Sequence, residues 1–482
     1  MKQQRLRFKL LALFLFALFG LLAAYGGYSV VTKGSRWFSS RWNSRVVAQK
    51  ENVTAGDILD RNGVLLAHTE NGERQYQENV DDRKAVVHLL GDTQGQVSNG
   101  VESFQAAYLY GFNTPVWELA GTLLSGRERR GDTLRLTVDS RLCAAIVQAY
   151  AARENTAGKN GAAVVMNYRT GEVLALVSLP VFDPLAVTEE TRRDPGKPFW
   201  NRATQSVYPP GSTFKIVTTA ASLTYLPDQI GDILMNCQGG LDVDGQAIRD
   251  WGGSQHGKVT LPKAFRVSCN NAFALLALNL GDEKLRTAAE RFGFNDNFLF
   301  RDLVVENSSY PAGSSRSRFE LACTGFGQSV LTATPVHLCM IAGGIANGGV
   351  MMEPRLLKEV SGPEGAGRLK FSAAEYRRAL SADDAAYIGG LMKDAVQHGT
   401  GTGARVPGLS VCGKTGSAES SLNGEAVTHG WFIGYCEEET CPFAVAVLVE
   451  NVDAGEGGGS TAAPLAAEIF TYLKEHPELV LD

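Results

Sequence analysis

Histidine is scarce in this chain, 7 in 482 residues, and neither a His-Glu-x-x-His nor a Cys-x-x-Cys occurs. Those absences predict no structural or catalytic zinc site, and nothing else in the sequence calls for a cofactor. Positive charge is not in excess either. Lys and Arg number 46 against 51 Asp and Glu, a net charge of −5, which gives no basis for nucleic-acid binding. No internal repeat is present, and the one biased run is Gly455–Gly459, a flexible loop.

Charged residues are missing altogether from Leu10 to Val31, a stretch rich in Leu, Phe and Ala. About 20 apolar residues span a bilayer core, whereas a secretory apolar region has only about 7–15. The expectation is a short cytoplasmic tail, residues 1–9, with Lys2, Arg5, Arg7 and Lys9, then a retained transmembrane anchor at 10–31. The competing reading is a signal peptide cleaved near Ala24-Tyr25-Gly26. Lys33, Arg36, Arg41 and Arg45 follow the span, so the charge bias alone orients it weakly.

The remaining chain holds enough apolar residues for a large core, 44% of all residues, and is long enough for two or three domains. Asn62-Gly63 between alternating apolar residues predicts a hairpin over Asp57–Ala67. Residues 68 to about 130 are polar and irregular, 32–130 together are expected to form a small accessory domain, and the character changes near Asp132. Over 131–482 the pattern is strands at Thr133–Val138, Gly161–Asn167 and Glu172–Ser178, with a helix at Ser140–Arg153 between. Helices follow at Thr213–Leu226, Leu261–Leu280 and Ala333–Asn347. Strands return at Ser410–Lys414, Gly430–Tyr435 and Phe443–Glu450, before a last helix at Ala462–Glu475. That order predicts an α+β fold, one antiparallel sheet with helices beside it. Of the cysteines, Cys143, Cys323 and Cys339 read as small core residues. Cys436 and Cys441 bracket Glu-Glu-Glu-Thr, and a hairpin there would bring them within reach of a disulfide.

Three short segments carry chemistry. In Tyr208-Pro-Pro-Gly-Ser-Thr-Phe-Lys215, two prolines and a glycine stop what precedes and Ser212 opens a helix. Lys215 lies three residues on, so the two side chains share one face, as a weak hydroxyl nucleophile and its base must. A neutral lysine serves as base when burial and the positive end of a helix lower its pKa. Ser268-Cys269-Asn270 can offer a proton relay and an amide, or merely a helix cap. Lys414-Thr415-Gly416-Ser417 ends an apolar strand with a cation, two hydroxyls and a glycine that lets a ligand approach, a combination suited to a carboxylate. Each is weak alone, but Ser-x-x-Lys, Ser-x-Asn and Lys-Thr-Gly in this order form a known set.

With those boxes and their flanks the sequence resembles a class B penicillin-binding protein, a monofunctional peptidoglycan D,D-transpeptidase. Gly161–Pro184, Thr324-Gly-Phe-Gly-Gln, Thr334-Pro335, Gly399-Thr-Gly-Thr-Gly and Trp431-Phe-Ile-Gly-Tyr match further landmarks, and Gly91 and Gly100-Val-Glu102 match the pedestal. The resemblance implies a serine β-lactamase/D,D-peptidase-like domain on a small pedestal behind one anchor, with the catalytic domain extracytoplasmic. It implies Ser212 as nucleophile, Lys215 as base, Ser268 linked to Lys414 as proton shuttle, and Asn270 on the substrate amide. Thr415, Gly416 and Ser417 would bind substrate, and the N–H groups of Ser212 and Ser417 would form the oxyanion hole. Ser417 stands where the family usually has threonine, which keeps the hydroxyl. The implied partners are peptidoglycan stem peptides, β-lactam antibiotics and a polytopic membrane glycosyltransferase of the elongation or division machinery. A D,D-carboxypeptidase or β-lactamase shares the boxes; a non-catalytic β-lactam receptor or division scaffold would not need all five polar residues.

Overall fold

A computed structural model describes residues 2–38, 49, 52–92, 94–311, 317–422 and 425–480. Helix α1, Lys2–Phe38, contains the apolar segment Leu6–Ser29, long and apolar enough to cross a membrane. Arg41 and Arg45, expected to flank it, lie outside the described residues. Strands β1 (Ile58–Leu59), β2 (Leu65–Glu70) and β3 (Glu73–Tyr76) follow, then β4 (Thr133–Leu136) and α2 (Ser140–Ala152). Next come β5 (Gly161–Asn167), β6 (Val173–Leu179), α3 (Lys215–Tyr225), α4 (Asn270–Leu280) and α5 (Pro335–Ala346). Strands β7 (Leu357–Ser361) and β8 (Gly367–Lys370) precede β9 (Val411–Leu422), β10 (Glu425–Cys436) and β11 (Phe443–Val449), and α6 (Ala462–Glu475) closes the chain.

The central sheet runs β9-β10-β11-β5-β6, every neighbouring pair antiparallel, as the α+β expectation had it. All seven residues of β5, β6 and β11 are buried. Successive strand residues point to opposite faces, so this sheet is covered on both. Helix α5 packs against β5, β10 and β11, while α6 packs against β10, β11 and α2.

A second sheet, β8-β7-β4-β1-β2-β3, builds the pedestal. It takes strands from both sides of residue 130, because Ile58 pairs in parallel with Leu134, and Leu134 pairs with Val360 on its other edge. The pedestal strands β4, β7 and β8 therefore come from chain that the sequence pattern groups with the catalytic part. The Asn62-Gly63 hairpin forms, with Gly63 at φ 83°, the left-handed conformation such a turn requires. Buried Asp60 fastens it: Oδ1 accepts from the N–H groups of Asn62 at 2.8 Å and Val64 at 2.9 Å, and Oδ2 from Ser140 Oγ at 3.0 Å. Asn62 Nδ2 donates to Asp139, the N-cap of α2, so one turn joins this sheet to α2. Glu102 of the pedestal landmark pairs with Arg74 at 2.7 Å, both buried.

Two expectations change. The helix expected over Leu261–Leu280 is two helices, Leu261–Arg266 and Asn270–Leu280, because Ser268 takes φ 58° and breaks the chain direction. All eight cysteines are unbridged, Cys436 and Cys441 included. In the β10–β11 ladder Tyr435 faces Ala444, leaving Cys441 in the connection, and the Cys436 thiol donates to Glu438 Oε2 at 2.7 Å.

Asp60→Ala strips three backbone N–H groups and a serine hydroxyl of their acceptor, and each unsatisfied buried group costs about 1–3 kcal/mol. The variant should melt several degrees below the wild type, and an unchanged melting temperature in scanning calorimetry rules out this fastening.

Candidate active site

The chain before Ser212 is held in place from the sheet. Trp431, fully buried on β10, donates its indole N–H to Pro209 O at 3.2 Å. Gly211 has φ 54°, and its N–H donates to Gly327 O at 2.9 Å, which ties the turn to the Thr324-Gly-Phe-Gly-Gln landmark. Gly211–Phe214 is a 3₁₀ turn that passes into α3 at Lys215. In a 3₁₀ turn residues three apart eclipse, so Ser212 and Lys215 lie on one side, as their spacing predicts. Among the described residues no hydrogen bond joins Ser212 Oγ to Lys215; the lysine is engaged elsewhere.

Lys215 is fully buried, and its Nζ donates to Ser268 O at 2.6 Å and Asn270 Oδ1 at 2.9 Å, with Ser268 Oγ at 3.0 Å. Lys414 Nζ reaches the same Ser268 Oγ at 2.9 Å and its neighbour's carbonyl, Thr415 O, at 3.0 Å. One hydroxyl thus sits between two amines. Burial pulls the Lys215 pKa down to about 7, with Cys269 and Asp250 acting in the opposite sense. Burial also lowers Lys414 well below an ordinary lysine, and the charge of Lys215 adds to that. A neutral Lys215 has two N–H bonds, which the two carbonyl-type oxygens occupy, and one lone pair left free to take a proton.

The Ser268 backbone makes this possible. Its left-handed φ turns the carbonyl toward Lys215 instead of along a helix, and the Asn270 N–H donates to buried Asp250 at 2.5 Å. Asn270 Nδ2 donates to Arg249 O at 3.1 Å, which assigns Oδ1 to Lys215.

Strand β9 brings Lys414 to Ser417 alongside. It runs on to Leu422, beyond the end at Lys414 that the apolar pattern suggested, because polar residues continue the pairing with β10. Lys414 is therefore a buried residue within the strand rather than its end. Gly416 allows the contact: a Cβ there would stand 3.1 Å from Pro210 O and from Thr213 Cγ2. Thr400, from the Gly-Thr-Gly-Thr-Gly landmark, shares a 2.7 Å hydrogen bond with Thr415 Oγ1. Gln328 Nε2 donates to Ser417 O at 3.3 Å.

Ser212, Ser268, Asn270, Thr415 and Ser417 line a cleft of about 940 Å³, with Lys215, Lys414 and Gly416 behind its wall. Trp251, Gln328, Thr400 and Glu419 also line it. Thr400 and Gln328 lay in landmarks the sequence offered without a role. Glu419 ends the Lys-Thr-Gly-Ser-Ala-Glu run, two residues past Ser417 on the same strand, whereas nothing in spacing brings Trp251 to Ser212.

Residues 161–471 match the family described as the penicillin binding protein transpeptidase domain. The peptidoglycan D,D-transpeptidase PbpA of Mycolicibacterium smegmatis is 31% identical over 459 residues, covering 90% of this chain and 92% of the relative. Its namesake in Mycobacterium tuberculosis is 32% identical over 364 residues, 72% of this chain and 73% of the relative. The solved structure of M. tuberculosis penicillin-binding protein A as a ceftriaxone acyl-enzyme superposes with a TM-score of 0.78 at 29% identity, covering 90% of this chain and 99% of that one. The chain belongs to the penicillin-binding protein transpeptidase family, in its class B.

With lysines labelled at ¹⁵Nζ, one resonance should titrate at about pH 7 and vanish in Lys215→Met. Lysines that all titrate near the usual 10.4 would show that burial does not act as argued.

Proposed function

We propose that this chain is a serine-type D-Ala-D-Ala transpeptidase that cross-links peptidoglycan stem peptides through an acyl-enzyme on Ser212. The observation that carries the residue roles is the Ser268 hydroxyl held between the buried amines of Lys215 and Lys414, beside Ser212 in one cleft. Neutral Lys215 takes the Ser212 proton as Oγ attacks the carbonyl of the penultimate D-alanine. The N–H groups of Ser212 and Ser417 receive the negative charge on the former carbonyl oxygen. The proton then passes from Lys215, through Ser268 with Lys414 behind it, to the departing nitrogen, and the bond to the terminal D-alanine breaks. An ester on Ser212 remains. The amine of a second stem peptide attacks that ester, forms the new amide and returns a proton to Ser212.

Asn270, at the cleft wall and bonded to Lys215, orients both the lysine and the donor amide. Thr415 and Ser417 present their hydroxyls to the terminal carboxylate, Gly416 leaves it room, and Lys414 lies behind them, its protonation favoured once the carboxylate is bound. A β-lactam enters by the same attack; its ring amide opens, and the tethered leaving group stays in the cleft. The acyl-enzyme that the M. tuberculosis relative forms with ceftriaxone supports this reading.

The anchor places the enzyme at the cell membrane as a single-pass protein, with residues 1–9 cytoplasmic and the catalytic domain on the side of its substrate. A pedestal between anchor and catalytic domain gives a polytopic membrane glycosyltransferase of elongation or division a surface to dock on, and co-purification from membranes tests it.

Mass spectrometry of the protein with penicillin should find the adduct on Ser212, and Ser212→Ala should carry none; an adduct elsewhere in the variant overturns the assignment. With a D-Ala-D-Ala thioester and a D-amino acid, transfer to the amine should exceed hydrolysis; hydrolysis alone would mark a carboxypeptidase.

Acylation needs the neutral base, so its rate should rise with pH through about 7 and level off above, the sense set by the lowered pKa of Lys215. Lys414→Gln should slow acylation about 10²-fold, the scale of one preorganised electrostatic group. A folded variant that acylates at the wild-type rate removes Lys414 from the mechanism.

A further inference from the structure

Behind the Ser268-Cys269-Asn270 segment lies a group of side chains with no part in the steps above. Cys237 ends the strand Ile233–Cys237, Asp250 caps the turn at Trp251–Gly253, His256 precedes the strand Gly257–Thr260, and Cys269 is the N-cap of α4. The pairing of Gly257 with Cys237 brings His256 and Cys237 side by side. One potential ligand atom from each of the four lies within 4.8 Å of the other three.

The separations have the pattern of a coordination tetrahedron. Cys237 Sγ stands 3.7 Å from His256 Nδ1 and 2.9 Å from Asp250 Oδ2. Asp250 Oδ2 stands 3.3 Å from His256 Nδ1 and 3.5 Å from Cys269 Sγ. Zinc bonds of about 2.3 Å to sulfur and 2.0–2.2 Å to nitrogen and oxygen give tetrahedron edges of about 3.3–3.8 Å. Three of the four measured separations fall in that range, and the shorter one opens as a central ion draws each ligand to its own bond length.

The surroundings suit thiolate and carboxylate ligands. The Gly239 N–H points to Cys237 Sγ at 3.5 Å and the Ala272 N–H to Cys269 Sγ at 3.4 Å. Asn271 Nδ2, fully buried, donates to Asp250 Oδ2 at 2.9 Å and lies 3.5 Å from Cys237 Sγ. Such donors orient ligands and temper their charge. Cys237, Asp250 and Cys269 are buried, whereas His256 borders the cleft and gives an ion a way in.

We propose that Cys237, Asp250, His256 and Cys269 bind one zinc ion, which fixes the 237–256 segment to the Ser268–Asn270 turn. Asp250 is the link, since its other oxygen, Oδ1, accepts the Asn270 N–H. The set is closed, two thiolates, an imidazole and a carboxylate, so the ion is structural: it leaves no open position for substrate. The four residues are positioning residues for Ser268 and Asn270, and none touches the reacting atoms.

The full-length chain, purified in detergent under reducing conditions and dialysed, should hold about one zinc per chain by elemental mass spectrometry. Cobalt(II) exchanged into it should show tetrahedral d–d bands and a sulfur-to-cobalt charge-transfer band. The pair Cys237→Ser with His256→Ala should lose both signals, and Cys323→Ser, outside the four-residue group, should keep them. A chelator should lower the melting temperature of the wild type and leave the double variant unchanged. Wild type that takes up less than about a tenth of an equivalent of added zinc and shows no cobalt–sulfur band overturns the proposal, whether or not the variants fold. So does a Cys237–Cys269 disulfide as the only state found in peptide mapping. Penicillin labelling at Ser212, followed in the same samples, reports the acyl-transfer chemistry separately, so either reading can fail without the other.

Discussion

Two lysines are buried within reach of one hydroxyl, and the catalytic domain is organised around that constraint. Removing an ammonium from water is costly, and two facing one oxygen also repel. The conflict is relieved when one amine gives up its proton. Burial lowers both lysines, Lys215 to about 7, and the charge of Lys215 lowers Lys414 further. Phe273 and Phe265, their ring centres 5.4 and 5.8 Å from the two amines, exclude water while offering ring faces to whichever cation remains. A single arrangement therefore both lowers a pKa and holds one hydroxyl between two amines.

Close backbone approach keeps the arrangement rigid. A Cβ on Gly327 would fall 1.9 Å from Gly211 O, and one on Gly458 would fall 2.0 Å from Trp431 O. Such contacts press the serine turn, the Lys-Thr-Gly strand and the loop after β11 together with no side chain between. Main chain varies far less in position than long side chains do, so the Ser212 and Ser417 amides gain their separation from the sheet itself.

Much of this was legible in the sequence, for identifiable reasons. Pro-Pro-Gly before Ser212 admits few conformations, and alternating or continuous apolar runs set the strands of the central sheet. The hairpin at Asn62-Gly63 followed from turn chemistry. What failed to show was whatever depends on distant chain. Apolar residues on both sides of Val267–Cys269 read as one helix, because the force that breaks it, an Asp250 carboxylate taking the Asn270 N–H, comes from 20 residues upstream. Lys414 looked like the end of a strand because Thr415–Leu422 is polar; its pairing with β10 is not written in the strand's own composition. The thiols of Cys436 and Cys441 stand about an acidic loop and interact in the fold, yet both remain unbridged. The four-ligand group escaped notice for a similar reason, since its members follow no short spacing and meet only after two small strands have paired.

The helix break at Ser268 shows why local disorder of pattern and function coincide. In a continuous helix the Ser268 carbonyl would point along the axis to the N–H four residues on, and Lys215 would lose that acceptor. A non-glycine residue held at φ 58° costs about 1–3 kcal/mol, and such a residue persists only when its neighbours over-determine it. Here they do: Asp250 holds the Asn270 N–H, Lys215 holds the carbonyl, and Lys414 holds the hydroxyl. Each of these contacts would be lost if Ser268 relaxed to helical φ, so strain and catalytic geometry are one property of that residue. The strand-and-loop segment from Cys237 to His256 then has a purpose beyond connection, for it is what carries Asp250 to the turn and keeps it there.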